Sequence, residues 1–309
     1  MNSLSKTNRT GSNISSVIMV LAAAALWGII GVFSRQLSAA GLNAVQITFL
    51  RCFFATVFLL IWLLLRNRSA FRIRLRSLPL FLGTGLCSIV FFNICYFLTL
   101  SATTVSVASI LLYTAPFFVI LLSAVFFHER ITIQKLIALL LAFIGCCFIT
   151  GIIGSSVSLT GTVILTGIGS GLGYGLYSIF AKPALKEYSS DTVTFYTFLV
   201  ASIGIFPFSQ PGEMLDCFSK VPISIVWALL LALISTLLPF LLYTKGLERL
   251  EAGKASVMAF FEPLTATLTG ILIFHEKLTL WHVIGILLIF TGVVLLNIRR
   301  TTPGKHSIL

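Results

Sequence analysis

Charge is what this chain has least of. Only 10% of its 309 residues are charged and nine are acidic, against 58% apolar. That is too little polar surface to cover a soluble domain of this length, so a soluble globular protein is excluded. Histidine is scarcer still, with four residues. Of the six cysteines, Cys52, Cys87, Cys95, Cys146 and Cys147 fall in apolar runs and Cys217 in a connecting loop. None has ligand spacing with a histidine, so neither disulfides nor a metal is expected, and the cysteines read as small packing residues. No Gly-Lys-Ser/Thr follows any glycine-rich stretch, which removes the common ATP-binding loop.

What is abundant is long apolar runs. A bilayer core takes about 20 apolar residues per helix. Ten runs of roughly that size lie at 15–34, 44–65, 78–99, 104–127, 132–150, 159–180, 192–209, 222–244, 254–274 and 279–297. The fold class is therefore all-α integral membrane, with ten transmembrane helices. The net charge of +12 suggests nucleic acid at first sight, but its placement argues against that partner. With the N-terminus on the cytoplasmic side, seventeen of the 21 basic residues fall in inner segments, among them Arg66, Arg68, Arg72, Arg74 and Arg76. Arg35, Lys220 and Lys277 fall outside and Arg51 within a span. The positive-inside rule then puts both termini in the cytoplasm of a cell membrane crossed many times.

The runs fall into two halves related by a constant offset of 147 residues. Trp27-Gly28 matches Tyr174-Gly175, Tyr96 matches Tyr243, Pro116 matches Pro263, and Gly145 matches Gly292. Phe127-His128-Glu129 and Thr132 match Phe274-His275-Glu276 and Thr279. The first run thus has an internal counterpart, which argues against a cleaved signal. The expected organisation is a tail at 1–14, a five-helix repeat at 15–150, a linker at 151–158, a second repeat at 159–297 and a tail at 298–309. Five is odd, so the second repeat must enter the membrane from the opposite side. Inverted-topology repeats are common in secondary transporters, with the substrate near the midplane between the halves.

Gly167, Gly171 and Gly175 recur every four residues and form one face for close helix packing, and Gly28 and Gly31 are expected to serve likewise. Pro116 and Pro263 interrupt their spans near the middle. Each should leave the carbonyl four residues back, at Leu112 and Ala259, without its helical partner. Two charges lie deep in spans, Arg51 and Glu262, and intramembrane charges tend to mark pathways or pairs. Glu262 has Ala115 as its counterpart, so the chemistry is asymmetric. That carboxyl could cycle protons, hold a cationic substrate, or be a fixed partner of Arg51. Arg51 could grip a substrate carboxylate with two parallel bonds or tie backbone carbonyls together as structural glue. The His-Glu pairs lack the second histidine of a zinc-protease helix, because Thr132 and Thr279 stand there. They are expected to end one helix and cap the next. Trp27, Tyr96, Tyr113, Tyr174, Tyr177 and Tyr243 are the aromatics expected to face the substrate, through stacking or a cation held over a ring.

The two five-span halves, Trp27-Gly28, Arg51, the mid-span prolines, Glu262-Pro263 and the endings Phe127 to Thr132 and Phe274 to Thr279 together resemble the EamA branch of the drug/metabolite transporter superfamily. The resemblance covers 18–297, with His128 and His275 standing where that family usually has glycine. It implies a secondary carrier in the cytoplasmic membrane of a prokaryote, generally an exporter of amino acids, related metabolites or drugs; no cofactor is expected. It also implies a central cavity lined by spans 1, 3, 4, 6, 8 and 9. The expected activity is transport of a small organic metabolite by alternating access, driven by a substrate or proton gradient and not by ATP. Two alternatives stand beside it: an importer of sugars or nucleotide-sugars on the same scaffold, and, more distantly, an integral-membrane enzyme. Substrate, direction, proton coupling and oligomeric state are not encoded in any residue that can be read directly.

Overall fold

The computed structural model describes the backbone of residues 3–152 and 159–298, with side chains from residue 14 onward in those stretches. Residues 153–158 of the expected linker and 299–309, with Arg299, Arg300, Lys305 and His306, lie outside the described residues, as do the side chains of Lys6 and Arg9. The described residues are helical, with no strand. Among the described residues, nine helical spans are long and apolar enough to cross a membrane: Ile14–Ala39, Ala44–Arg66, Leu75–Ala102, Val105–Phe127, Gly161–Ala184, Ser190–Phe208, Ile223–Leu247, Ala252–Phe274 and Leu280–Asn297. Ile133–Ile149, at 17 residues, is the tenth. Numbered in chain order, it is span 5, and Gly161–Ala184 is span 6. Lipid offers no hydrogen bonds, so only a backbone satisfied within itself can cross, and an apolar run of this length becomes a helix.

Short polar residues set the starts of these helices. Asn43 and Gln46 form a reciprocal capping box before span 2. Thr104, Thr132, Thr160, Ser189 and Thr279 each accept a hydrogen bond from the backbone N–H three residues on. His128 and His275 end spans 4 and 9 in the left-handed region, with φ of 55° and 54°. A glycine serves more easily at that C-terminal position, which explains why the related pattern carries one there. The His-Glu-x-x-Thr endings thus terminate one helix and cap the next.

The two halves register at the 147-residue offset in their distortions as well as in their caps. Spans 3 and 8 each contain a π-helical stretch, Gly83–Val90 and Leu233–Leu237. Spans 4 and 9 are each two helices, Val105–Leu112 with Ala115–Phe127 and Ala252–Met258 with Phe261–Phe274. Pro116 and Pro263 sit in the first turn after each break, where a missing N–H costs little. As expected, the Ala259 carbonyl lacks its usual partner at Pro263; it accepts from the Glu262 N–H at 2.9 Å instead, because the break tightens the turn by one residue.

Packing follows a two-fold pattern. Span 1 lies against spans 8 and 9, and span 6 against spans 3 and 4; spans 2 and 7 pair, as do spans 5 and 10. Glycines permit the closest approaches. A Cβ at Gly171 would lie 2.8 Å from the Leu111 carbonyl of span 4, and one at Gly28 would lie 2.7 Å from the Glu262 carbonyl of span 9. Gly31 departs from expectation, since nothing lies within 4 Å of the place its Cβ would take. Cys87 is likewise exposed on the outside of the bundle and packs no interior.

The arginine-rich segments share one face, here called the basic face. Arg74 and Arg76 reach Glu187, and Lys135 pairs with Glu251. On the far face an unforeseen short helix, Pro211–Lys220, lies over the bundle. Its Glu213 accepts a hydrogen bond from the buried Gln46 amide, and Cys217 approaches the Ala40 carbonyl.

Candidate functional site

The breaks in spans 4 and 9 bring Tyr113 and Glu262 to the middle of the bundle. Both sit where the helix interrupts itself, beside the glycine-rich face of span 6 and the break of span 1 at Ile29. Residues that touch their own repeat counterparts lie on the pseudo-two-fold axis. Trp27 meets Tyr174 edge-on at 6.2 Å between ring centres, and Tyr113 meets Phe260 at 6.1 Å. The axis therefore runs through the cavity, and Glu262 and Arg51, whose counterparts are Ala115 and Phe198, break its symmetry.

Two cavities meet at Glu262, Trp27, Tyr174 and Phe240, which line both. The larger is a vestibule of about 330 Å³, opening toward the far face past Ser34 and Ser38 of span 1, Ala44 and Thr48 of span 2, and Leu100 of span 3. Arg51 and Tyr96 line its walls, with Phe92 and Asn93 between them. The smaller lies toward the basic face, between Tyr113, Pro116, Tyr177 and Tyr243, with free space of about 30 Å³. That is room for a single water and not for a metabolite, whereas the vestibule is at the lower end of the size of small-molecule sites.

At the floor of the vestibule the Tyr174 hydroxyl donates to Glu262 Oε2 at 3.2 Å. Arg51 donates through Nε to the Thr236 hydroxyl at 3.1 Å, and no Arg51–Glu262 bridge forms within 4 Å. The fixed-pair alternative for these two charges is thus not realised, and Arg51 is held by a side-chain hydroxyl where backbone carbonyls were one expectation. The π-helical stretch of span 8 sets Thr236 in place, with its own hydroxyl donating to the Leu231 carbonyl five residues back. The arginine's terminal nitrogens are left for the vestibule. The indole N–H of Trp27 is buried without a hydrogen-bond partner, an arrangement that costs free energy unless a ligand or water supplies one.

Below this floor the bundle is closed by aromatic rings and hydroxyl bonds. Trp27 packs on Phe240 at 5.2 Å and Tyr243 at 5.3 Å. Tyr177 bonds the Thr244 hydroxyl, and Tyr243 bonds Ser178. Among the aromatics expected at the site, then, Trp27 and Tyr174 stand between the chambers, Tyr96 in the vestibule, and Tyr113, Tyr177 and Tyr243 around the closed one. Pro116 lines the closed chamber, while Pro263 lies behind the break and does not. The expected six lining spans all contribute, and span 2 adds a seventh through Thr48 and Arg51. Sequence reading missed Phe92, Asn93, Thr236 and Phe240. A polar Asn in an apolar run was the one available signal, and a π-helical turn leaves none.

A multi-pass helical bundle with two matching halves and a vestibule carrying two opposite charges at their interface is the architecture of a membrane transporter. The comparisons agree. The profile of the EamA-like transporter family matches twice, over residues 14–151 and 161–298, and the chain belongs to that family. The two matches fit a pair of inverted repeats. An uncharacterized transporter of Archaeoglobus fulgidus is 32% identical over 89% of this chain and 94% of its own length. An uncharacterized inner membrane transporter of Salmonella typhimurium is 25% identical over 96% of this chain and its entire length. A solved crystal structure superposes with a TM-score of 0.77, at 17% identity, over 92% of this chain and 96% of its own; it speaks to the fold alone. The protein is a multi-pass cell-membrane transporter of the drug/metabolite type, and its family and relatives point to transporters rather than enzymes.

Proposed function

We propose that this protein moves a small organic metabolite across the cell membrane by alternating access, as a secondary or facilitative exporter with its basic face in the cytoplasm. The favoured substrates are amino acids, amines and related drug-like compounds. One observation carries the reading: a vestibule open to the far face has a carboxyl, Glu262, and a guanidinium, Arg51, on its walls, not paired with each other. Opposite charges held apart in one apolar pocket suit a ligand that brings both, an ammonium for Glu262 and a carboxylate for Arg51. Phe92, Tyr96 and Trp27 supply rings against which an apolar or cationic part can rest.

The basic face is assigned to the cytoplasm because charge there is concentrated, as the positive-inside rule requires. On that assignment the structure corresponds to the outward-facing state, and the closed chamber lies on the path to the cytoplasm. Proton coupling would run through Glu262, the one carboxyl lining that path. The test starts with a thermal-shift screen of the purified protein against amino acids, amines, sugars and antimicrobials at millimolar concentration, since stabilisation grows with ligand concentration over affinity. Hits then go into proteoliposome flux assays run in both gradient directions. Stabilisation by sugars alone, or flux only inward, would overturn the substrate class or the direction respectively.

A further inference from the structure

The closure at the basic face has a specific fastening. Glu129, just past the end of span 4, accepts hydrogen bonds from the N–H groups of Ala252 and Gly253 at 2.7 and 3.1 Å, through its two carboxylate oxygens. Those groups begin span 9, whose N-cap residue Glu251 supplies no side-chain cap of its own. Lys182, near the end of span 6, gives its ammonium to the carbonyls of Leu247 and Leu250, which close span 8. One anion and one cation thus clasp the same turn from both sides, each on the orphan backbone groups of its own sign. Ala252, within this clasp, is fully buried.

At the 147-residue offset every member of the clasp has a counterpart on the far face. Glu276 matches Glu129, Arg35 matches Lys182, and the turn from Leu247 to Gly253 matches Leu100 to Ser106. The charge types are kept, and the arrangement is not. Arg35 and Glu276 bond each other at 3.0 Å, with 57% and 49% of their side chains exposed, and the guanidinium lies over the Phe274 ring. The start of span 4 is capped locally by Thr104, and Val105 is 63% exposed where its match Ala252 is buried.

From this we infer that the two clasps are a matched pair of latches, engaged alternately. When the far face closes, Glu276 accepts from the N–H groups of Val105 and Ser106, and Arg35 donates to the carbonyls of Leu100 and Thr103. Glu129 and Lys182 meanwhile release the Leu247–Gly253 turn. Glu129 and Glu276 are then gating residues that never touch substrate. This inference rests on the alternating-access reading above, and gives it the groups that hold each state.

The test measures the far-face opening by double electron–electron resonance in the full-length protein. Keto-bearing residues at the exposed positions Ala39 and Ser101 carry the spin labels, so the native cysteines stay in place. Glu129→Gln keeps the shape but loses the charge and one of the two acceptor oxygens, and should raise the ratio of short to long distances by roughly tenfold. Glu276→Gln should lower that ratio, and the double variant should return it close to wild type. Lys182→Met and Arg35→Met make the same pair of shifts through the other half of each latch, which keeps the test open where a glutamate variant fails to fold. A shared direction for Glu129→Gln and Glu276→Gln, or no shift in either while the wild type shows both distances, would overturn the latch and leave alternating access standing. One fixed distance in every variant and with every ligand would overturn both.

Discussion

Adding one methyl group at Gly171 should separate the two helices that frame the cavity. The Cβ of a Gly171→Ala protein would press on Thr114 Oγ1 and sit 2.8 Å from the Leu111 carbonyl and 3.2 Å from the Ala115 amide. The first neighbour is a side chain and can turn, but the others are backbone at the break of span 4. Helix propensity favours the substitution by about 1 kcal/mol. Overpacking a tight contact typically costs about 1–3 kcal/mol, so a net loss is expected. Gly31→Ala is the built-in control, with open space around its Cβ and the same gain in propensity. Unfolding of purified protein in detergent mixtures of rising sodium dodecyl sulfate content would compare them. Gly171→Ala should unfold earlier than wild type and Gly31→Ala no earlier. Equal midpoints for the two variants would refute the close approach of spans 4 and 6.

Two other expectations follow from particular side chains. Arg51→Lys keeps the positive charge but not the flat fork; substrates bearing a carboxylate should lose about tenfold in apparent affinity, while amines without one should not. Flux assays with matched amine and amino-acid substrates would read the difference. His275→Gly removes a left-handed non-glycine residue at the end of span 9, and should stabilise the protein by up to about 1 kcal/mol without altering transport, while His275→Val should destabilise it. The same detergent titration measures both.

Most of the fold was legible because membrane spans are written in long runs and the duplication is written in rare residues. Pro116 with Pro263, and the two His-Glu-x-x-Thr endings, align the halves where leucine and phenylalanine alone would not. The prolines also marked the breaks that place Tyr113 and Glu262 at the cavity. What stayed hidden depends on geometry between distant segments. Glu129 and Glu276 occupy the same place in the repeat, yet one caps span 9 and the other pairs with Arg35, a difference that only the folded arrangement displays. Thr236 holds Arg51 through a π-helical turn that no periodicity announces. Gly31 looked like a packing residue by spacing, and faces open space.

On the proposed function, Glu262 handles the charge of the substrate or of a coupled proton. The most direct measurement is transport by Glu262→Gln protein in proteoliposomes over a range of pH, beside detergent unfolding to show that the fold is kept. Glutamine can still accept from Tyr174 but carries no charge and takes up no proton. Expected are unfolding close to wild type, flux of amines and amino acids reduced by an order of magnitude or more, roughly the worth of one charge-assisted bond, and a flattened pH profile. Wild-type flux with an unchanged pH profile would contradict it.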